Sequence, residues 1–123
     1  MHIYTDENGI IIEFHGKEQF FALRAKVNVL YEVIVEANYQ EKFQDWRKWE
    51  VRMPGTGLPN VLLAGSYWTE DGWDFLYVNN PRGMLKPIAE NVLVITTTQE
   101  RYRRLVLSCK RRDAEVLLAG LNQ

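Results

Sequence analysis

The sequence predicts a mainly β (α+β) domain of about seven antiparallel strands, folded as a small barrel or sandwich and closed at one end by a C-terminal amphipathic helix. Three observations predict it. The apolar runs are short, rich in β-branched and aromatic residues, and separated by turn residues. Most of them alternate apolar and polar positions, the period of a half-buried strand. Only the last segment, "RDAEVLLAGLNQ", changes to a helical period. A chain of 123 residues fits one domain, spanning 1–123, around one core.

The elements follow in order. "DENG" (Asp6–Gly9) reads as a turn and "IIIEFH" as a strand, with Ile10, Ile12 and Phe14 on one face and Ile11, Glu13 and His15 on the other. "HGKEQ" turns the chain, and "FFALRAKVNV" (Phe20–Val29) returns as a strand. "YEVIVEANY" (Tyr31–Tyr39) is the next, with Val33, Val35 and Ala37 inward and Glu32, Glu36 and Asn38 outward. "QEKFQDWRKWE" (Gln40–Glu50) breaks the alternation. Phe43, Trp46 and Trp49 recur at spacings of three, which predicts one or two helical turns.

"RMPGTGLPNVLLAGSYW" (Arg52–Trp68) then places prolines and glycines before an apolar strand. It lacks the Gly-Lys-Ser/Thr of a phosphate loop and the spacing of a dinucleotide fingerprint. It reads as a rigid bend, with Gly65 marking a bulge or corner inside the strand. "VLLAGSYWT" (Val61–Thr69) and "WDFLYVNN" (Trp73–Asn80) form a hairpin through "EDG", with glycine at the position that needs positive φ. Glu70, Asp71 and Asp74 read as solvated turn acids, without the spacing of a calcium loop. In "MLKPIAEN" (Met84–Asn91), Pro87 argues against a central strand. "VLVITT" (Val92–Thr97) and "RRLVLSCK" (Arg103–Lys110) are the last strands, the second with Leu105, Leu107 and Cys109 on one face. Phe14, Phe75 and Leu107 are candidates to fill the interior. Ala114, Leu117, Leu118 and Leu121 make the helix's apolar stripe, with Asp113 as the N-cap and Glu115 in the first turn.

Composition narrows the function. Net charge is −1, apolar residues make up 46% and charged residues 25%, so no global field draws the chain to nucleic acid or an anionic membrane. Arg101, Arg103 and Arg104 fall at one end of the last strand and Lys110, Arg111 and Arg112 at the other, which splits the basic residues. No apolar run reaches the length of a transmembrane segment and no secretory leader opens the chain, so a soluble cytoplasmic protein is expected. The single cysteine, Cys109, excludes an intramolecular disulfide and reads as a small buried hydrophobe. With only His2 and His15 besides, nitrogen and sulfur ligands are too few for a zinc site, and a Cys109–His15 pair has no motif behind it. The expectation is no enzyme, no cofactor and no metal. The best interaction candidate is the polar segment holding Trp46 and Trp49 beside Arg47 and Arg52, because Trp and Arg are enriched at binding hot spots. The competing reading folds both tryptophans onto the barrel edge.

"FALRAKVNVLYEVIVEA", followed by "RMPGTGLPNVLLAGSYW", "FLYVNNP" and "ERYRRLVLSC", resembles the bacterial pleckstrin-homology (PH)-like proteins over about Gly9 to Leu121. In that family a similar arginine-bearing strand leads through a Pro/Gly loop into a glycine-bearing strand, and an "ERY"-type turn precedes the last one. The resemblance implies two near-orthogonal antiparallel sheets closed by the helix, in a family of mostly unassigned function. It implies a non-catalytic module that binds a protein or peptide partner or a second copy of itself, through a sheet edge or the Trp46/Trp49 segment. It also implies two alternatives. One is an anionic lipid headgroup site at Lys17, Arg24 and Lys26. The other is a bacteriocin-immunity-type protective role, although immunity relatives usually carry a membrane segment that this sequence lacks. Fold alone does not choose among these.

Overall fold

The computed structural model describes residues 1–18, 25–44, 49–52, 56–58, 62–69, 72–82, 88–99 and 101–121, with backbone only for 49–52, 56–58 and 62–63. Among them, ten strands make two sheets, and one helix closes the chain. The first sheet has the order β1-β2-β3, with β1 His2–Thr5, β2 Gly9–Glu13 and β3 Lys26–Leu30. A short 3-10 turn, Tyr31–Val33, carries the chain into the second sheet. That sheet runs β4-β9-β10-β8-β7-β5, with β6 also paired to β7. Its strands are β4 Ile34–Phe43, β5 Trp49–Arg52, β6 Thr56–Leu58, β7 Leu62–Thr69, β8 Gly72–Asn79, β9 Ala89–Thr97 and β10 Arg104–Ser108. Helix α1 is Arg111–Leu121.

The mainly β class with a C-terminal helix holds, and the finer expectation is corrected. β10 lies between β9 and β8, antiparallel to the first and parallel to the second, so the large sheet is mixed. Among the described residues both sheets are open and no barrel closes. The strand count exceeds the expectation because β1, β5 and β6 are short pieces in polar or Pro/Gly-rich sequence. β4 also runs on through Gln40–Phe43, where spacing predicted helix.

Between β8 and β9, which flank β10, Arg82 and Ile88 form an isolated bridge in which Arg82 N donates to Ile88 O (3.0 Å) and Ile88 N to Arg82 O (2.6 Å). β9 then opens at Ala89, two residues beyond Pro87, so a central strand does start within Met84–Asn91. The β9–β10 turn is held by Thr97, whose Oγ1 donates to Tyr102 O (2.8 Å).

The core forms on both faces of the large sheet. On one face Phe75, Tyr77, Leu93, Ile95, Leu105 and Leu107 meet Ile10, Ile12, Phe14, Val27 and Val29 of the small sheet and Ala114 and Leu117 of α1. Phe14, Phe75 and Leu107 thus fill the interior, with the Phe14 ring 5.8 Å from Phe75 and 5.2 Å from Tyr77. On the other face Phe43, Tyr67, Leu76, Val78, Val92, Val94 and Val106 form a second buried cluster. Each such side chain contributes about 1.5–3 kcal/mol. Burial on both faces explains why "FLYV", "VLVIT" and "RLVL" read as near-continuous apolar runs.

Three backbone details set the edges. Gly65 (φ 122) lies where β7 passes from pairing with β6 to pairing with β5, at unbroken register with β8, so it makes a bend and no bulge. Gly72 (φ 128) ends the β7–β8 turn with the positive φ expected there. Asn91 (φ 54) turns β9 over: Leu93 packs with the first core cluster and Ala89 with the second, although strict alternation would put both on one face. β4 turns over beside it, between Tyr39 and Phe43, their register partners. In α1, Ala114 and Leu117 are buried and Leu118 and Leu121 half-buried, as the helical period predicts. The helix begins earlier than expected. Ala114 N donates to Lys110 O (3.0 Å), so Asp113 sits inside the first turn, near the positive end of the dipole, and is no N-cap.

Candidate functional site

The sequence-predicted partner residues fall at one edge of the large sheet. Trp49 and Arg52 open and close β5, paired with Thr69 and Tyr67 of β7. That span is strand, which corrects the predicted helical turn there. Trp46 and Arg47 lie outside the described residues. Of the anion set, Arg24 lies outside the described residues, Lys17 is exposed, and Lys26 opens β3. Lys26 stands opposite Glu13 in register, and Glu13 also accepts from Tyr4 Oη and lies 3.7 Å from His15 Nε2. The cation therefore has a carboxylate beside it. The basic residues split across the two ends of β10 as expected, with one exception. Arg104 is buried and donates through Nη2 to Oδ2 of the fully buried Asp74 at 3.0 Å. Its guanidinium also lies over the Phe43 ring (5.3 Å). Asp74 is thus no solvated turn acid. The signal was its parity with Leu76 and Val78, which places it on a buried face.

A cleft of about 1080 Å³ opens where β1, the end of β10 and the start of α1 meet, lined by Tyr39, Arg82, Asn91, Ser108, Cys109 and Arg111 among others. Its polar groups are mostly engaged with one another. Tyr39 Oη donates to Asn91 Oδ1 (2.6 Å), and Arg82 Nε pairs with Glu90 (3.0 Å). Arg111 pairs with Glu41 and lies over the Tyr39 ring (5.3 Å). Cys109 is half-buried and packs against the core, with Sγ 3.5 Å from Lys110 O. Burial first, then the charge of Asp113, pushes its thiol up to about 11, so it is neutral at physiological pH and weakly nucleophilic. Among the described residues no group of three or more His, Cys, Asp or Glu could hold a metal ion. No helix described is long and apolar enough to cross a membrane.

The second site is the opposite edge, β4. It is ten residues long, and among the described residues it pairs with β9 alone. Among the described residues its other flank carries backbone N–H and C=O groups without a neighbouring strand. Its even positions make a polar row. Asn38 Nδ2 donates to Glu36 Oε1 (2.9 Å) and Gln40 Nε2 to Asn38 Oδ1 (3.0 Å); exposed Lys42 follows at the turnover, in register with Glu90 of β9. Its odd positions, Ala37 and Tyr39, pack toward the core beneath α1, and Val35 is 64% exposed. A groove of about 530 Å³ runs between the start of β4 and Leu118 and Leu121 of α1. The sequence reading stopped this strand at Tyr39. Running the polar alternation on to Gln40 would have extended it, and the turnover beyond Gln40 hides the rest.

No family model, curated protein or solved structure matches this chain.

Proposed function

We propose that this chain is a non-catalytic binding module of PH-like type that recognises an extended segment of a protein or peptide by adding it to β4 as a further strand. One observation carries the reading: a ten-residue edge strand, roughly 33 Å long at about 3.3 Å per residue, flanks the sheet with no described strand on its outer side. Strand addition supplies affinity through main-chain hydrogen bonds and specificity through alternate side chains. The order of strands followed by one helix supports the PH-like part of the reading; the parallel β8–β10 pair departs from an all-antiparallel pattern. The headgroup alternative is weaker, because Glu13 faces Lys26.

Panning a random peptide library against the immobilised protein, followed by hydrogen exchange on the best binder, tests the reading. Protection confined to β4 amides and the facing end of α1 is expected. Binders that protect β5 would move the site to the Trp49–Arg52 edge, and protection away from both edges would overturn strand addition.

A further inference from the structure

We infer that Asn8 is a site of spontaneous deamidation that folding holds shut, with Asp6 as the latch. Asn8-Gly9 is the one Asn-Gly pair in the sequence, and it lies in the turn between β1 and β2 with Asn8 exposed. Glycine has no Cβ, so its backbone nitrogen is unshielded and its backbone free to turn. That nitrogen can attack the Asn8 side-chain carbonyl carbon. A bond forms between Gly9 N and Asn8 Cγ, the bond from Cγ to the side-chain nitrogen breaks, and ammonia leaves with the proton of the Gly9 N–H. The five-membered imide then takes up water at either carbonyl and opens to aspartate or isoaspartate. Water is the only co-reactant.

The folded turn opposes the first step. Gly9 N donates to Asp6 Oδ1 at 2.9 Å, so the attacking atom is engaged. The carboxylate beside it also disfavours the negative charge that the nitrogen gains on losing its proton. Asn8 N donates to the same oxygen (2.7 Å). Asn8 O accepts from Tyr31 N (3.0 Å) and Asp6 O from Tyr31 Oη (3.0 Å), so the turn is tied to the chain beyond β3 as well. Gly9 is already the first residue of β2, in register with Leu30 of β3. Ring closure must swing Gly9 N toward Asn8 Cγ, which breaks the bond to Asp6 and the first pairing of β2. The site is therefore exposed yet unreactive until the turn opens locally.

The isoaspartate product cannot close again. It carries one more carbon in the main chain between residues 8 and 9, and β2 has no slack there. Even the single carbon of a Cβ on Gly9 would collide with Val29 O and Leu30 Cα of β3. An opening of this turn is thus recorded as a permanent loss of its pairing.

Incubation of the whole protein in mildly alkaline buffer, with and without guanidinium, tests this. The tryptic peptide 1–17 is read by mass, because Asn8 is its only side-chain amide. Deamidation in the folded protein should be at least about tenfold slower than in guanidinium, because local opening limits it. Asp6→Ala should raise the folded-state rate about tenfold or more, the weight of a hydrogen bond to a charged acceptor, and leave the guanidinium rate unchanged. Asp6→Ser keeps an oxygen for the turn and should fall between. Circular dichroism shows which variants are folded. Equal wild-type rates with and without guanidinium overturn the latch. So does a folded Asp6→Ala protein with the wild-type rate or, should that variant not fold, the same result for Asp6→Ser. Isoaspartate chains, separated from the aspartate product, should unfold at lower denaturant than Asn8→Asp; a shared midpoint overturns the loss of pairing.

Discussion

β10 and β4 share one sheet with a single strand between them, and they follow opposite rules. In β10, Arg104–Leu107 is buried at every residue, and the strand has hydrogen-bonded neighbours on both sides. A polar side chain there must bring its partner with it, and Arg104 meets Asp74 in the directly opposed register position of β8. In β4 only Phe43 is buried, no described strand pairs with its outer flank, and the polar side chains bond along the strand. The contrast separates two duties of one sheet. Its centre supplies stability through apolar packing on both faces, and its edge supplies unpaired backbone at little energetic risk, because water solvates it.

The largest expected effect breaks the centre. Arg104→Ala leaves Asp74 buried without its guanidinium and should cost about 3–5 kcal/mol in urea denaturation. Replacing both partners, as Asp74→Leu with Arg104→Met, should cost clearly less than Arg104→Ala alone, because no charge is then stranded. A loss under about 1 kcal/mol for Arg104→Ala is what a surface pair gives, and it would erase the distinction between centre and edge. The next effect lies in the small sheet. A Cβ on Gly9 would sit 2.0 Å from Val29 O and 2.8 Å from Leu30 Cα, both backbone atoms of the paired strand β3. Gly9→Ala must therefore push β2 and β3 apart, at about 1–3 kcal/mol by the same measurement.

What was legible in the sequence divides along the same line. Ile10, Ile12 and Phe14 were placed on one strand face and Ala114, Leu117, Leu118 and Leu121 in one helix stripe from periodicity, because local spacing decides which face is apolar. Gly72 was readable too, since a tight hairpin after Thr69 needs positive φ. Strand order was not readable. Whether β10 inserts between β8 and β9 depends on pairing between residues thirty positions apart, such as Asp74 and Arg104, and no local pattern carries that. Asp74 was misread because it was grouped with its sequence neighbours Glu70 and Asp71, while the buried face it joins is completed by distant Phe43 and Val106. The edge site followed the same logic: the polar alternation of Glu36, Asn38 and Gln40 was visible, and the open flank of β4 was not.

A smaller effect sits where β4 turns over. Tyr39→Phe removes the bond to Asn91 Oδ1 but keeps the ring under Arg111, so about 0.5–1.5 kcal/mol should be lost. A value near zero would mean that the turnover rests on Asn91's left-handed backbone alone. The smallest effect sharpens the comparison most. Lys42→Glu changes an exposed side chain and sets a carboxylate opposite Glu90 in register, so monomer stability should fall by about 0.2–1 kcal/mol. A side chain that matters little to folding is what an edge built for recognition requires. If Lys42→Glu instead cost as much as Gly9→Ala, β4 would be part of the stability-bearing sheet, and the division between its centre and its edge would not hold.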